Sequence, residues 1–157
     1  LPDPPTAIKL DDLAALFASP WSQIENDTLG ELAVKSLFKQ FLGAAEAGVV
    51  ANGWDGDRFI AYRRGDEVAF IWATVWDSSG EAQEFFERYQ TVVSKKRGMS
   101  SSRDPHPYIE KRDRLVLVVE GLEAKHVERQ IERIWLTMET QEESFQPPPL
   151  TGLASFR

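Results

Sequence analysis

Cysteine is absent from the 157 residues, so no disulfide framework, thiolate nucleophile or cysteine-based metal site can be built. That absence assigns no compartment, because extracytoplasmic bacterial proteins also often avoid cysteine. Histidine is scarce. His106 sits between two prolines and His126 beside Lys125, and neither has partners spaced for zinc ligation or general-base work. No stretch approaches the roughly 18 uninterrupted apolar residues of a spanning helix. Positive charge is in deficit, with 18 Lys and Arg against 25 Asp and Glu and a formal charge of −7. That balance argues against a general nucleic-acid binder and against adhesion to an anionic membrane surface. No His-Glu-x-x-His pattern occurs, no catalytic constellation is apparent, and no cofactor is expected.

What is present is a foldable chain. A hydrophobic content of 42%, with five Trp, three Tyr and nine Phe, suits one globular domain with a proper core. Residues 1–27 read as a proline-led linker and a short helix over 8–18, residues 28–140 as a single domain, and residues 141–157 as a proline-rich tail. A start at Leu1, followed by Pro2, Pro4 and Pro5, is expected of a piece of something longer whose targeting segment has been removed.

The centre of the pattern is Gly53-Trp54-Asp55-Gly56-Asp57-Arg58, between a helical stretch and an apolar hairpin. Upstream, Thr28-Leu29-Gly30-Glu31 reads as a capping box opening a helix over 28–47, with Gly48 as its stop. Downstream, strands over 59–63 and 68–76 flank Arg63-Arg64-Gly65-Asp66. Along the second strand Val68, Phe70, Trp72, Thr74 and Trp76 point one way and Ala69, Ile71, Ala73 and Val75 the other, so both faces require cover. Ser78-Ser79-Gly80-Glu81 opens another helix. A basic loop over 94–103, a second hairpin over 107–119 and a helix over 124–138 follow.

Arg64-Gly65-Asp66-Glu67-Val68 answers Lys111-Arg112-Asp113-Arg114-Leu115, which suggests a duplicated strand–strand–helix unit. Two such units predict an α+β fold. Its four-stranded, mainly antiparallel sheet carries two helices on one face, and the N-terminal helix over 28–47 or a partner subunit covers the other. A homodimer is therefore one way to satisfy the pattern.

The corner offers several chemistries. Asp55 and Asp57 could share a cation with backbone carbonyls, yet one Asp-x-Asp lacks the further acidic ligands of a calcium loop, and the favoured role of Asp57 is to pair with Arg58 or to cap backbone N–H groups. Glu31 reads as a capping residue or as the ion-pair partner of Arg58. Gly53 and Gly56 read as structural. Trp54, Trp72, Trp76 and Trp135 read as core, with an aromatic ligand or partner groove as the alternative. Lys95, Lys96, Arg97 and Arg103 form the one basic cluster, most simply a solvated loop.

The Leu-Gly-Glu helix start, the alanine-rich Ala44-Ala45-Glu46-Ala47, the Gly-Trp-Asp-Gly-Asp-Arg motif and Val75-Trp76-Asp77 together resemble a C-terminal region of uncharacterised bacterial proteins. Residues 4–17 resemble the proline-led linker that precedes it. Longer members of that group look secreted or envelope-associated, and often carry an upstream zinc-peptidase-like His-Glu-x-x-His segment. The resemblance implies an extracytoplasmic, non-catalytic domain working with another domain of the same chain or with a protein partner. The alternatives are a small-ligand module built on the aromatic face and, more weakly, a hydrolase using Asp55, Asp57 or Glu31.

Overall fold

A computed structural model describes residues 3–17, 20–99 and 105–141. In chain order these form β1 (Ala7–Lys9), a 3-10 turn (Ala14–Leu16), β2 (Ser22–Asp27), α1 (Glu31–Leu42) and α2 (Ala44–Asn52). β3 (Trp54–Arg64), β4 (Glu67–Trp76), α3 (Ser79–Met99), β5 (Tyr108–Arg112), β6 (Leu115–Glu120), α4 (Ala124–Thr137) and β7 (Glu139–Gln141) complete the chain.

The α+β class is observed, but the expected single four-stranded sheet is not. A five-stranded sheet runs in the order β2-β3-β4-β6-β5 with every neighbour antiparallel, and a separate two-stranded sheet pairs β1 with β7. The extra strand comes from the segment read as linker and helix. Ser-Gln-Ile-Glu-Asn-Asp has no apolar alternation and is mostly exposed. It becomes a strand because the 11-residue β3 offers it a ladder from Phe59 to Arg63.

β3 also begins earlier than expected. The motif at 54–58 is not a turn before the hairpin but the opening of β3, paired from Trp54↔Trp76 onward with a register shift between Trp54 and Gly56. A bulge absorbs the extra residue, so the Asp55-Gly56 pair that signals a turn locally is carried within a strand.

The N-terminal helix divides. Gly43, at φ 92°, donates its N–H to the Lys39 carbonyl to close α1 and accepts from Ala47 N to open α2. Only glycine adopts that conformation without strain. Gly48 lies inside α2 rather than ending it, and the stretch expected as a basic loop is largely helix, since α3 continues to Met99.

Both faces of β4 are buried, by covers arranged differently from the expectation. α1, α2 and α3 share one face, where Val34, Phe38, Val50, Phe85, Tyr89 and Val92 pack on Trp72, Trp76 and Val118. The N-terminal segment and α4 cover the other, where Leu13, Phe17, Trp21, Val127 and Ile134 meet Ile60, Ile71 and Leu117. The helices of the two strand–strand–helix units thus lie on opposite faces, and the helix at the N-terminus shares its face with α3. Once three helices fill one face, Ile60, Ile71 and Leu117 would be wet without the N-terminal segment and α4, at about 1.5–3 kcal/mol for each side chain left exposed.

Candidate functional site

The first amides of an α-helix have no partner within the helix and attract negative charge. In α1 the expected reciprocal cap from Thr28 and Glu31 does not form. Gly30 holds the cap position at φ 85° with no side-chain cap of its own, and the Thr28 hydroxyl donates instead to the Asp57 carbonyl (3.2 Å). The cap arrives from β3. Asp57 Oδ2 accepts from Leu29 N and Oδ1 from Gly30 N, both at 2.8 Å. The same carboxylate accepts the indole N–H of Trp54 (3.2 Å) and of Trp72 (3.0 Å). Asp57 is 3% exposed, and each of these four donors is a neutral N–H. Buried charge held by such donors is stabilised through charge-assisted hydrogen bonds rather than an ion pair.

Asp55 serves another junction. Its carboxylate accepts from the Thr6 hydroxyl (2.7 Å), from Thr6 N (3.3 Å) and from Arg114 Nη2 (3.0 Å), while Arg114 Nε donates to the Trp76 carbonyl (2.7 Å). Thr6 N also donates to the Asp55 carbonyl (2.7 Å). A Cβ on Gly56 would lie 2.0 Å from the Thr6 carbonyl oxygen, so glycine is what lets the N-terminal segment reach β3. At Gly53 a Cβ would meet the Glu81 side chain at 2.7 Å, and the Gly53 carbonyl accepts from Asp77 N. Partial burial, with the Glu81 and Asp55 charges adding, holds the Asp77 carboxyl above the usual range.

Arg58 does not pair with Glu31. Its Nε donates to Asn26 Oδ1 (2.6 Å) and its Nη2 to the Asn26 carbonyl (2.8 Å), fastening β2 to β3. Glu31 is exposed in the first turn of α1. Trp72 and Trp76 are 2% and 0% exposed. The Trp76 ring stacks on Phe85 at 4.6 Å and its indole donates to Thr74 Oγ1 (2.8 Å). Trp54 is half-buried against the same helical layer, whereas Trp135 lies on the opposite face, donating to Glu110 Oε2 (2.9 Å) beneath the Arg112 guanidinium. The four tryptophans therefore line no common cleft.

Asp55 and Asp57 serve different sets of donors, and among the described residues no group of three or more His, Asp or Glu is arranged to hold a metal ion. His106 and His126 are both exposed, one before β5 and one on α4. Lys95, Lys96 and Arg97 occupy the last turns of α3, with Lys95 Nζ on the Phe41 carbonyl (2.8 Å), and Arg103 lies outside the described residues. Among the described residues no helix is long and apolar enough to cross a membrane.

Thr6, Asn26 and Arg114 complete this corner and carry no signal in the sequence, because each contacts a residue at least 32 positions away. The model of the family described as "Domain of unknown function (DUF8575)" matches residues 18–131. No curated protein and no solved structure matches the chain.

Proposed function

The chain belongs to the DUF8575 family of domains of unknown function, and from that premise we propose that it is a non-catalytic structural or interaction domain of a larger secreted or envelope protein. It works beside another domain of the same chain or a protein partner, in the manner of an accessory to a metallopeptidase-like domain. The observation that carries this reading is how fully the 54–58 motif is engaged within the fold. Asp57 caps α1, Asp55 joins Thr6 to Arg114, and Arg58 holds Asn26. A catalytic acid or base needs a face turned toward substrate, and these side chains spend theirs on neighbouring elements. The resemblance of the Leu-Gly-Glu helix and the Gly-Trp-Asp-Gly-Asp-Arg motif to accessory regions supports the extracytoplasmic setting.

Hydrogen–deuterium exchange on the isolated chain and on the full-length gene product tests the proposal. Added protection confined to one surface patch is the expected result. Identical exchange throughout both would overturn it.

A further inference from the structure

At the end of the β3–β4 hairpin away from the motif, the hairpin turn and the start of β4 border a groove of about 560 Å³. That volume lies within the range of small-molecule sites. Phe70 lines the groove, its ring stacked on Phe59 at 5.4 Å and backed by Trp72 at 6.1 Å. Glu120 stands opposite Phe70 in register at the end of β6. The buried Tyr89 hydroxyl, on α3, donates to Glu120 Oε1 and so fixes the carboxylate at the groove. Burial first, then the Glu120 charge, pushes the Tyr89 phenol well above its ordinary value, which keeps it a donor.

The other wall is α3, whose last turns bring Lys96 and Arg97 to the groove. Across from them the hairpin turn contributes Asp66 and Glu67, of which Glu67 is paired with Arg64 at 2.9 Å. Two carboxylates, Asp66 and Glu120, thus stand on the sheet side and the Lys96 ammonium on the helix side, with the Phe70 ring in the same lining. A ligand of one sign would meet attraction at one wall and repulsion at the other. A ligand carrying both signs on an apolar body satisfies both walls.

We propose that this groove binds a short peptide with free ends, its ammonium toward Glu120 and Asp66, its carboxylate toward Lys96, and its apolar side chains on Phe70. The proposal is independent of the accessory-domain reading and rests on a different part of the molecule.

Calorimetric titration at low ionic strength with leucyl-leucine, N-acetyl-leucyl-leucine and leucyl-leucinamide tests it. The unblocked dipeptide should bind, each singly blocked form should bind at least about tenfold more weakly, and added salt should weaken the unblocked form. Glu120→Gln keeps an acceptor for Tyr89 but loses the charge. It should lower dipeptide affinity about tenfold while leaving the affinity for the N-acetylated form unchanged. Lys96→Gln, at an exposed helix position that should fold normally, should lower dipeptide affinity similarly while sparing the amide. Absence of binding by the folded wild-type chain, or equal binding of blocked and unblocked forms, would overturn the proposal.

Discussion

The two ends of the β3–β4 hairpin use the same ingredients, a carboxylate beside an aromatic ring, and put them to opposite ends. At the Trp54 end, Asp57 is buried and accepts from two backbone amides and two indoles. At the Phe70 end, Glu120 is half-buried, is fixed through one oxygen by Tyr89, and borders a groove. The difference lies in what covers each end. The start of α1 closes directly over Asp57, whereas the end of α3 brings charged side chains to the groove. A carboxylate beneath a helix start becomes structure; one at the border of a groove keeps part of its surface exposed.

Removing the Asp57 carboxylate should break the closed end most severely. Asp57→Ala leaves four donors without their acceptor, and should cost about 3–5 kcal/mol in urea unfolding, largely through the freed start of α1. A loss under about 1 kcal/mol would mean that the carboxylate does not hold α1. Next in size, Gly56→Ala pushes a methyl group into the Thr6 carbonyl and should cost about 2–3 kcal/mol, with faster proteolysis of the N-terminal segment.

Between the two ends, the Tyr62 hydroxyl accepts from Leu13 N (2.7 Å) and donates to Asp12 Oδ1 (3.0 Å). Tyr62→Phe leaves a buried amide unpaired and should cost about 1–2 kcal/mol near neutral pH. Burial, then the hydrogen bond and charge of Asp12, hold this phenol above its ordinary value of 10.0. Its stabilising contribution is therefore complete below that pH and is lost above it, as the unfolded phenol ionises while the folded one stays protonated. The Phe variant should show a shallower alkaline loss of stability. An alkaline slope equal to that of the wild type would assign the effect elsewhere.

The smallest change sharpens the contrast at the open end. Asp66 is exposed, and Asp66→Asn should alter unfolding free energy by less than about 0.5 kcal/mol. A large loss there would show that the groove end is as structurally committed as the motif end.

Much of the hairpin was legible, and the reasons are local. The alternation of Phe70, Trp72 and Trp76 against Ala69, Ile71, Ala73 and Val75 matches the division between the two hydrophobic clusters, whereas Val68, at the start of β4, is exposed. Ser78 does cap the next helix, its Oγ accepting from Glu81 N (3.2 Å). The Thr28–Glu31 pattern is equally persuasive and fails, because Gly30 takes the cap position and Asp57 supplies a carboxylate from 27 residues away to its amide. β2 was illegible because its pairing partner, not its own residues, makes it a strand. The groove gave no sign either, since Glu120 meets Tyr89 across 31 positions.

By itself the sequence determined the α+β class, the period-two strand with two dry faces, and the exclusion of cysteine chemistry. Those follow from composition and from spacing within one element, where neighbours along the chain are neighbours in space. Only the tertiary structure decided that the sheet has five strands, that α3 and α4 lie on opposite faces, and that Asp57 caps a helix. Each depends on which distant element reaches an unsatisfied surface or amide first, a competition among long-range contacts that local pattern does not encode.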